Sequence, residues 1–166
     1  MIHILFVCTG NTCRSSMAEG LFKDAIEKDP QLAGGITISS AGIAALGGDP
    51  ASEYSVKVLR ENWGIDISSH RASSITVTEL KKADLVLTMT RGHRDMILSA
   101  FPWAKDKVFT LREYVQANPK DNSAKEYDYS LDIMDPYGMP VQVYKKCAEE
   151  IKLAVEKLVV KLKSNK

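Results

Sequence analysis

Two patterns of hydrophobic and polar positions alternate along the chain. Short continuous apolar runs are typical of strands buried on both faces, and apolar residues three or four positions apart are typical of amphipathic helices. The runs predict strands at 2–8, 36–40, 84–89 and 107–111. The helical spacing predicts helices at 16–28, 52–62, within 73–83, at 91–101 and from 141 onward.

The alternation of strands and helices predicts parallel strand pairing through right-handed crossovers. We therefore expect an α/β fold, a single doubly wound domain over residues 1–166 with a four-stranded parallel sheet (order 2-1-3-4) flanked by helices. Ser16 and Glu19 have capping-box spacing, which predicts that the first helix begins there. A long irregular piece at about 115–140 is expected to be a functional loop.

Composition excludes several classes of protein. Of 166 residues, 45% are hydrophobic, which suits one domain with a core. The 22 basic and 21 acidic residues nearly cancel, which argues against a nucleic-acid surface. No apolar run is long enough to predict a membrane span, and the N-terminus lacks the features of a signal peptide. Three cysteines form no disulfide framework and predict a reducing cytoplasm, and the three histidines lack zinc-ligand spacing.

The turn CTGNTCRS, residues 8–15, carries the candidate chemistry. It leaves the first strand at the sheet edge where open α/β folds bind ligands, and it enters a helix N-terminus whose free amides attract anions. Gly10 and Asn11 readily accept left-handed backbone angles, so we expect consecutive amides to turn inward as an anion-binding nest. Arg14 can place two hydrogen bonds on a phosphate.

Cys8 begins this nest. The oriented amides, the helix terminus and the guanidinium favour its thiolate form, and Ser15 could donate a hydrogen bond to the sulfur. An isolated cysteine at a strand end is more often a packing residue. Arg14 six positions later, with a helix starting immediately after, favours instead a nucleophile beneath a bound phosphoryl group.

The segment VCTGNTCRS, residues 7–15, resembles the Cys-x5-Arg-Ser signature of the low-molecular-weight protein tyrosine phosphatase family. The similarity continues through SAG after the second strand, ADLVLTMT, VFTLREYV and DPYG. With Thr12 in the loop, these segments look most like the bacterial protein arginine phosphatase branch, since the tyrosine-specific branch usually carries a larger aliphatic residue there. The resemblance implies a monomeric phosphatase that needs no metal or other cofactor, acts on phosphorylated proteins and releases inorganic phosphate.

The resemblance also implies a role for each matching residue. Cys8 attacks phosphorus, Arg14 and the loop amides hold the phosphoryl oxygens, and Asp135 protonates the leaving atom before activating water. Pro136 restricts Asp135 to extended backbone angles, whereas Asp132 is a weaker candidate because no proline follows it. The implied substrate-binding residues are Thr9, Gly10, Asn11, Thr12, Cys13, Ser15 and the aromatic wall Tyr137.

The roles of two histidines are predicted less specifically. His70 matches a family histidine that braces Asn11, and a surface histidine at a helix start is the alternative. His93 is interpreted as a surface residue. Ser16 replaces a proline that is usual in the family, with little expected loss of function because serine can cap the helix.

The substrate stays open between two phosphorylated residues. Thr12 favours phosphoarginine, but Ala44 and Ala45 lie where arginine-specific relatives tend to carry an aromatic residue. One wall of the pocket would then be open, or would come from Tyr127 or Tyr129 in the long loop. Phosphotyrosine therefore remains the alternative substrate.

Two other functions fit the chain less well. Arsenate reductases share the loop but use two further cysteines close together, and here only Cys147 remains outside it. A phosphate-sensing module would need no general acid, so Asp135 argues against it. Cys13 has two interpretations. Peroxide could join it to Cys8 in a reversible disulfide, or its side chain packs beneath the loop.

Overall fold

The computed structural model describes residues 1–116 and 131–165, and within them the predicted sheet is present. Its strands are β1 (Ile2–Cys8), β2 (Ile36–Gly42), β3 (Leu85–Thr88) and β4 (Val108–Thr110). The order is β2-β1-β3-β4 with every neighbouring pair parallel, which confirms the predicted topology. Tyr127 and Tyr129 lie outside the described residues.

All five predicted helices form, with ends shifted by a few residues. They are α1 (Arg14–Glu27), α2 (Glu53–Trp63), α3 (Val77–Lys82), α4 (Arg91–Ala100) and the long α6 (Val141–Ser164). A short α5 (Leu111–Gln116) and a 3-10 turn (Pro102–Ala104) were not predicted. The described residues include no helix with the length and apolar character needed to cross a membrane.

The prediction that α1 begins at a Ser16–Glu19 capping box is wrong. The helix begins two residues earlier, and its N-cap residue Cys13 makes no side-chain capping bond. Ser16 Oγ donates instead to the Cys13 carbonyl at 2.9 Å, and Glu19 accepts from Ser40 on β2. A reciprocal capping pair does form at α5, where the Thr110 side chain accepts from the Glu113 amide at 2.9 Å and the Glu113 side chain accepts from the Thr110 amide at 2.7 Å.

The two faces of β1 bury their side chains in two separate cores. Ile4 and Phe6 pack with α1 and α6, while Leu5 and Val7 pack with Leu80 of α3 and other residues on the opposite face. Because β1 is covered on both faces, a ligand can approach its carboxyl end, at Cys8, only from the edge of the sheet. The edge where β1 and β3 end is therefore where polar side chains from several elements meet.

Candidate active site

The loop between β1 and α1 wraps around the Cys8 sulfur. Cys8 is buried, with 3% of its surface exposed. The Asn11 amide donates to Sγ at 3.3 Å, and Ser15 Oγ lies 2.9 Å from the same sulfur. Since Asn11 Nδ2 donates to Ser15 Oγ at 2.8 Å, the Ser15 hydroxyl proton is free to point at sulfur. The expected hydrogen bond from Ser15 is therefore confirmed.

Asn11 provides the bend that turns the loop. It has φ 58°, the only positive φ of a non-glycine residue in the described ranges, whereas Gly10 does not adopt one. The expectation of left-handed backbone is thus confirmed for Asn11 and wrong for Gly10. The Asn11 side chain, fully buried, donates to Ser40 Oγ at 2.9 Å and accepts from the Ser73 amide at 3.0 Å. These bonds offset the cost of the left-handed conformation.

His70 braces the loop from behind. Its Nε2 donates to the Asn11 carbonyl at 2.7 Å, and its Nδ1 lies 3.7 Å from Glu19 Oε2. The Ser40 hydroxyl donates to the same carboxylate oxygen. The histidine therefore contacts Asn11, as the family resemblance implied, and the surface alternative is wrong.

Arg14 lies almost entirely inside the protein and has unused hydrogen-bonding capacity. Nη1 donates to the Ile133 carbonyl at 3.0 Å, and Nη2 lies 3.5 Å from both Thr9 Oγ1 and Asp135 Oδ2. Its Nε is buried and has no hydrogen-bond partner among the described residues. A buried donor without a partner is costly, so this guanidinium is suited to receive an anion.

The two candidate aspartates have different surroundings. Asp132 Oδ1 and Oδ2 accept from Arg91 Nε and Nη2 at 3.2 and 3.1 Å, and Oδ1 also accepts from the Arg91 amide at 2.8 Å. Burial of Asp132 opposes ionisation, but the bonds from Arg91 outweigh it and lower the pKa of Asp132. Asp135 is half-exposed and accepts from the Tyr137 amide at 3.0 Å. Asp132 is therefore occupied in an ion pair, and Asp135 faces the loop.

One pocket of about 220 Å³ brings most of the predicted residues together. Tyr137, 75% exposed, lies at its rim. Of the predicted set, only Asn11 and Ser15 are not part of the lining, and both support the loop from beneath. The lining comprises Cys8, Thr9, Gly10, Thr12, Cys13, Arg14, Asp135 and Tyr137.

His93 was interpreted as a surface residue, and this is wrong. It is buried in α4, with Nε2 2.8 Å from Thr9 Oγ1 and Nδ1 3.0 Å from Thr90 Oγ1. Burial and then the nearby Arg14 charge lower the pKa of His93 to about 4, against a smaller opposing effect of Asp135 and Asp132. The available sequence signal was its place in the first turn after β3, a strand that ends at the same edge as Cys8.

Gly42 is a second residue that sequence reasoning left without a role. A Cβ atom at this position would lie 2.5 Å from the Thr9 carbonyl oxygen and 3.0 Å from the Asn11 amide nitrogen. The end of β2 thus approaches the loop too closely for any side chain. The SAG segment at residues 40–42 was the signal, since it holds both this glycine and Ser40, which binds Asn11.

The other two cysteines are unpaired and buried. Cys13 Sγ lies 3.4 Å from Ser52 Oγ and 3.5 Å from the Tyr144 hydroxyl. Cys147 is in α6, where burial raises the pKa of its thiol to about 12. A Cys8–Cys13 crosslink stays a prediction.

Known proteins are similar to this chain along nearly its whole length. The sequence model of the family described as low molecular weight phosphotyrosine protein phosphatase matches residues 3–166. A protein-arginine-phosphatase of Geobacillus stearothermophilus is 40% identical over 98% of this chain and 97% of its own length. One of Bacillus subtilis is 36% identical over 99% of both. The crystal structure of a low molecular weight protein tyrosine phosphatase from T. tengcongensis is 44% identical, with a TM-score of 0.84 over 97% of this chain and 99% of that one.

Proposed function

As a member of the low-molecular-weight phosphotyrosine protein phosphatase family, the chain is a cysteine-dependent phosphatase, and we propose that it hydrolyses phosphoarginine side chains of proteins. Cys8 is the proposed nucleophile, Arg14 the phosphate-binding cation and Asp135 the general acid. The observation that carries these assignments is that sulfur, guanidinium and carboxylate line one pocket of about 220 Å³. The proposed substrates are phosphorylated proteins, and the product is inorganic phosphate.

The first proposed step forms a phosphocysteine. The Cys8 sulfur makes a bond to phosphorus while the bond from phosphorus to the leaving nitrogen breaks, and Asp135 gives its proton to that nitrogen. The hydrogen bonds from the Asn11 amide and the Ser15 hydroxyl stabilise the sulfur anion before attack, and again when it leaves. Arg14 supports the phosphoryl oxygens, with its buried Nε available as a donor.

The second proposed step releases phosphate. Asp135, now ionised, takes a proton from a water molecule as the water oxygen bonds to phosphorus, and the sulfur–phosphorus bond breaks to restore the thiolate. The loop amides and the Arg14 guanidinium supply the positive field at the equatorial oxygens throughout. Residues of this chain thus provide every proton transfer and charge contact that the two steps require.

Two observations support phosphoarginine as the substrate. Thr12 lines the pocket with a side chain short enough to leave room beside the bond between phosphorus and nitrogen. Two of the relatives compared above are named protein-arginine-phosphatase, at 40% and 36% identity over nearly the full chain. Tyr137 at the rim offers a flat ring to the planar guanidine, although it would equally suit a phenyl ring.

Phosphotyrosine is the second candidate, and Ala44 is the observation that favours it. The Ala44 amide donates to the Thr9 carbonyl at 2.9 Å, so position 44 adjoins the loop with only a methyl group. A small residue there leaves room for a phenyl ring. We propose further that the enzyme acts as a monomer in the cytoplasm, since its pocket is formed within one chain and its cysteines are unpaired.

The test compares kcat/KM for a phosphoarginine peptide and a phosphotyrosine peptide that are otherwise identical. We expect the phosphoarginine value to be higher, and Cys8→Ser to abolish turnover of both. A higher value for phosphotyrosine would replace the proposed substrate with the alternative. Wild-type protein that binds phosphate but turns over neither peptide nor p-nitrophenyl phosphate would contradict an enzymatic role.

A further inference from the structure

A chain of hydrogen bonds connects helix α4 to the phosphate-binding loop. His93 Nδ1 lies 3.0 Å from Thr90 Oγ1, and His93 Nε2 lies 2.8 Å from Thr9 Oγ1. Thr9 lines the pocket with Cys8, and Arg14 Nη2 donates to its hydroxyl oxygen at 3.5 Å. None of the proposed chemical steps uses His93, although it is buried within hydrogen-bonding distance of a pocket residue.

Thr90 determines which nitrogen of the imidazole carries the proton. Its Oγ1 caps α4 by accepting from the His93 amide at 3.2 Å. The Thr90 hydroxyl proton needs an acceptor, and His93 Nδ1 provides one. Nδ1 is then unprotonated, and a neutral imidazole carries its proton on Nε2. Burial and the Arg14 charge, which lower the pKa of His93 to about 4, keep the ring neutral against Asp132 and Asp135.

This tautomer decides how the Thr9 hydroxyl is used. His93 Nε2–H and Arg14 Nη2–H both donate to Oγ1, which occupies its two lone pairs. The hydroxyl proton is left to bond elsewhere, and Thr9 is part of the pocket lining. We propose that His93 is a positioning residue that makes the Thr9 hydroxyl a hydrogen-bond donor to the phosphoryl group held over Cys8. This inference rests on the proposed phosphatase function.

A double-mutant cycle tests the coupling between the two side chains. We expect His93→Ala to lower kcat/KM for p-nitrophenyl phosphate roughly tenfold and to weaken competitive inhibition by inorganic phosphate by a similar factor, the usual effect of one lost hydrogen bond. Thr9→Val removes the hydroxyl with little change of shape and should have a similar effect. If His93 acts through Thr9, the double variant is no worse than Thr9→Val alone.

Two further variants separate positioning from general stability. His93→Gln retains a side-chain N–H donor, so it should recover much of the activity that His93→Ala loses. His3 is a matched control, because its Nε2 also pairs with a hydroxyl, Ser39 Oγ at 2.7 Å, but at the opposite end of β1 from Cys8. His3→Ala should keep wild-type kcat/KM.

Nitrogen-15 NMR of the wild-type protein tests the tautomer without any variant. The expected spectrum has a protonated Nε2 and an unprotonated Nδ1 at His93. The reverse assignment would overturn the inference. The inference would also be overturned if His93→Ala lowered kcat/KM by the same factor in the wild type and in the Thr9→Val variant. A wild-type enzyme that turned over no phosphate ester would instead contradict the proposed function. Phosphate binding by the wild type, His93→Ala, Thr9→Val and the double variant would still decide the role of His93.

Discussion

The Arg14 guanidinium lies 3.5 Å from the Asp135 carboxylate, measured from Nη2 to Oδ2. Only 5% of the Arg14 side chain is exposed, against 51% for Asp135. The same guanidinium donates to the Ile133 carbonyl, two residues before the aspartate. One buried side chain at the start of α1 therefore positions the segment that carries the proposed acid relative to Cys8. The pairing of nucleophile and acid depends on α1, which the core holds in place.

Replacement of Asp135 should affect substrates according to their leaving group. Asp135→Asn is expected to lower kcat for a phosphoarginine peptide by about 10²–10³, because the leaving nitrogen then receives no proton. With p-nitrophenyl phosphate, whose phenolate leaves unprotonated, the first step should survive. Stopped-flow absorbance should then record a burst of p-nitrophenol equal to the enzyme concentration, followed by slow turnover. An equal loss of the burst and of peptide turnover would argue against Asp135 as the acid.

Asp132 should behave differently, because its carboxylate is paired with Arg91. Asp132→Asn weakens the bonds to Arg91 that hold the segment leading to Asp135, so we expect kcat to fall by a similar factor for both substrates. The free energy of unfolding should fall by about 1–2 kcal/mol, the typical value of a charge-assisted hydrogen bond. Urea unfolding and the same two assays provide the measurements. A loss confined to the substrate with the poorer leaving group would identify Asp132 as the acid instead.

A methyl group at Gly42 should disturb the phosphate-binding loop. Gly42→Ala places Cβ against the Thr9 carbonyl and the Asn11 amide, so the loop has to move. We expect kcat/KM to fall at least roughly tenfold and inhibition by inorganic phosphate to weaken, since small misplacements of reacting groups are costly. Gly47→Ala is the matched control, because a Cβ there meets nothing within 4 Å. Similar activity of the two variants would show that the close approach has no catalytic importance.

The side chain at position 12 should set the preference between the two candidate substrates. Thr12→Ile fills the space beside the leaving atom, and we expect the ratio of kcat/KM for phosphoarginine to that for phosphotyrosine to fall by about 10–100-fold. Matched phosphopeptides provide the measurement, and p-nitrophenyl phosphate reports whether the loop itself is intact. An unchanged ratio would remove Thr12 from the specificity argument.

Burial of neutral His93 should make stability depend on pH. Its pKa is lowered from the ordinary value of 6.5 to about 4, so between those values the unfolded chain binds more protons than the folded one. Stability contributed by the neutral ring is therefore present above pH 6.5 and is lost as pH falls toward 4. Relative to His93→Gln, the wild type should lose unfolding free energy as the pH falls across this range, measured by urea unfolding at each pH. If the unfolding free energies of the wild type and His93→Gln changed with pH in parallel, the result would contradict a buried neutral ring.

The sequence was sufficient for the sheet because β1 and β3 are buried on both faces and read as continuous apolar runs. It also brought Cys8, Arg14 and Asp135 together as candidates, which line one pocket, because the motifs that mark them are short and local. It failed at α1, where Ser16 and Glu19 have the right spacing for a cap but form bonds to Cys13 and to Ser40 of β2 instead. Local spacing cannot reveal a tertiary partner that competes for the same side chain.

His93 and Gly42 were missed for a related reason. Both act on the loop from other elements, His93 from 84 residues and Gly42 from 33 residues after Thr9, so no nearby pattern marks them. Their importance depends on which strands end at one edge of the sheet and how closely their backbones approach. Those distances follow from packing of the whole sheet and cannot be obtained from residue spacing.

The contacts that shape the loop join Asn11 to Ser40 and His70 behind it, while Thr12 and Tyr137 line the pocket in front. The hydrogen bonds that give the loop its shape thus do not involve the side chains at positions 12 and 137. Substitutions at those two positions can change what the pocket accepts while the loop keeps its shape.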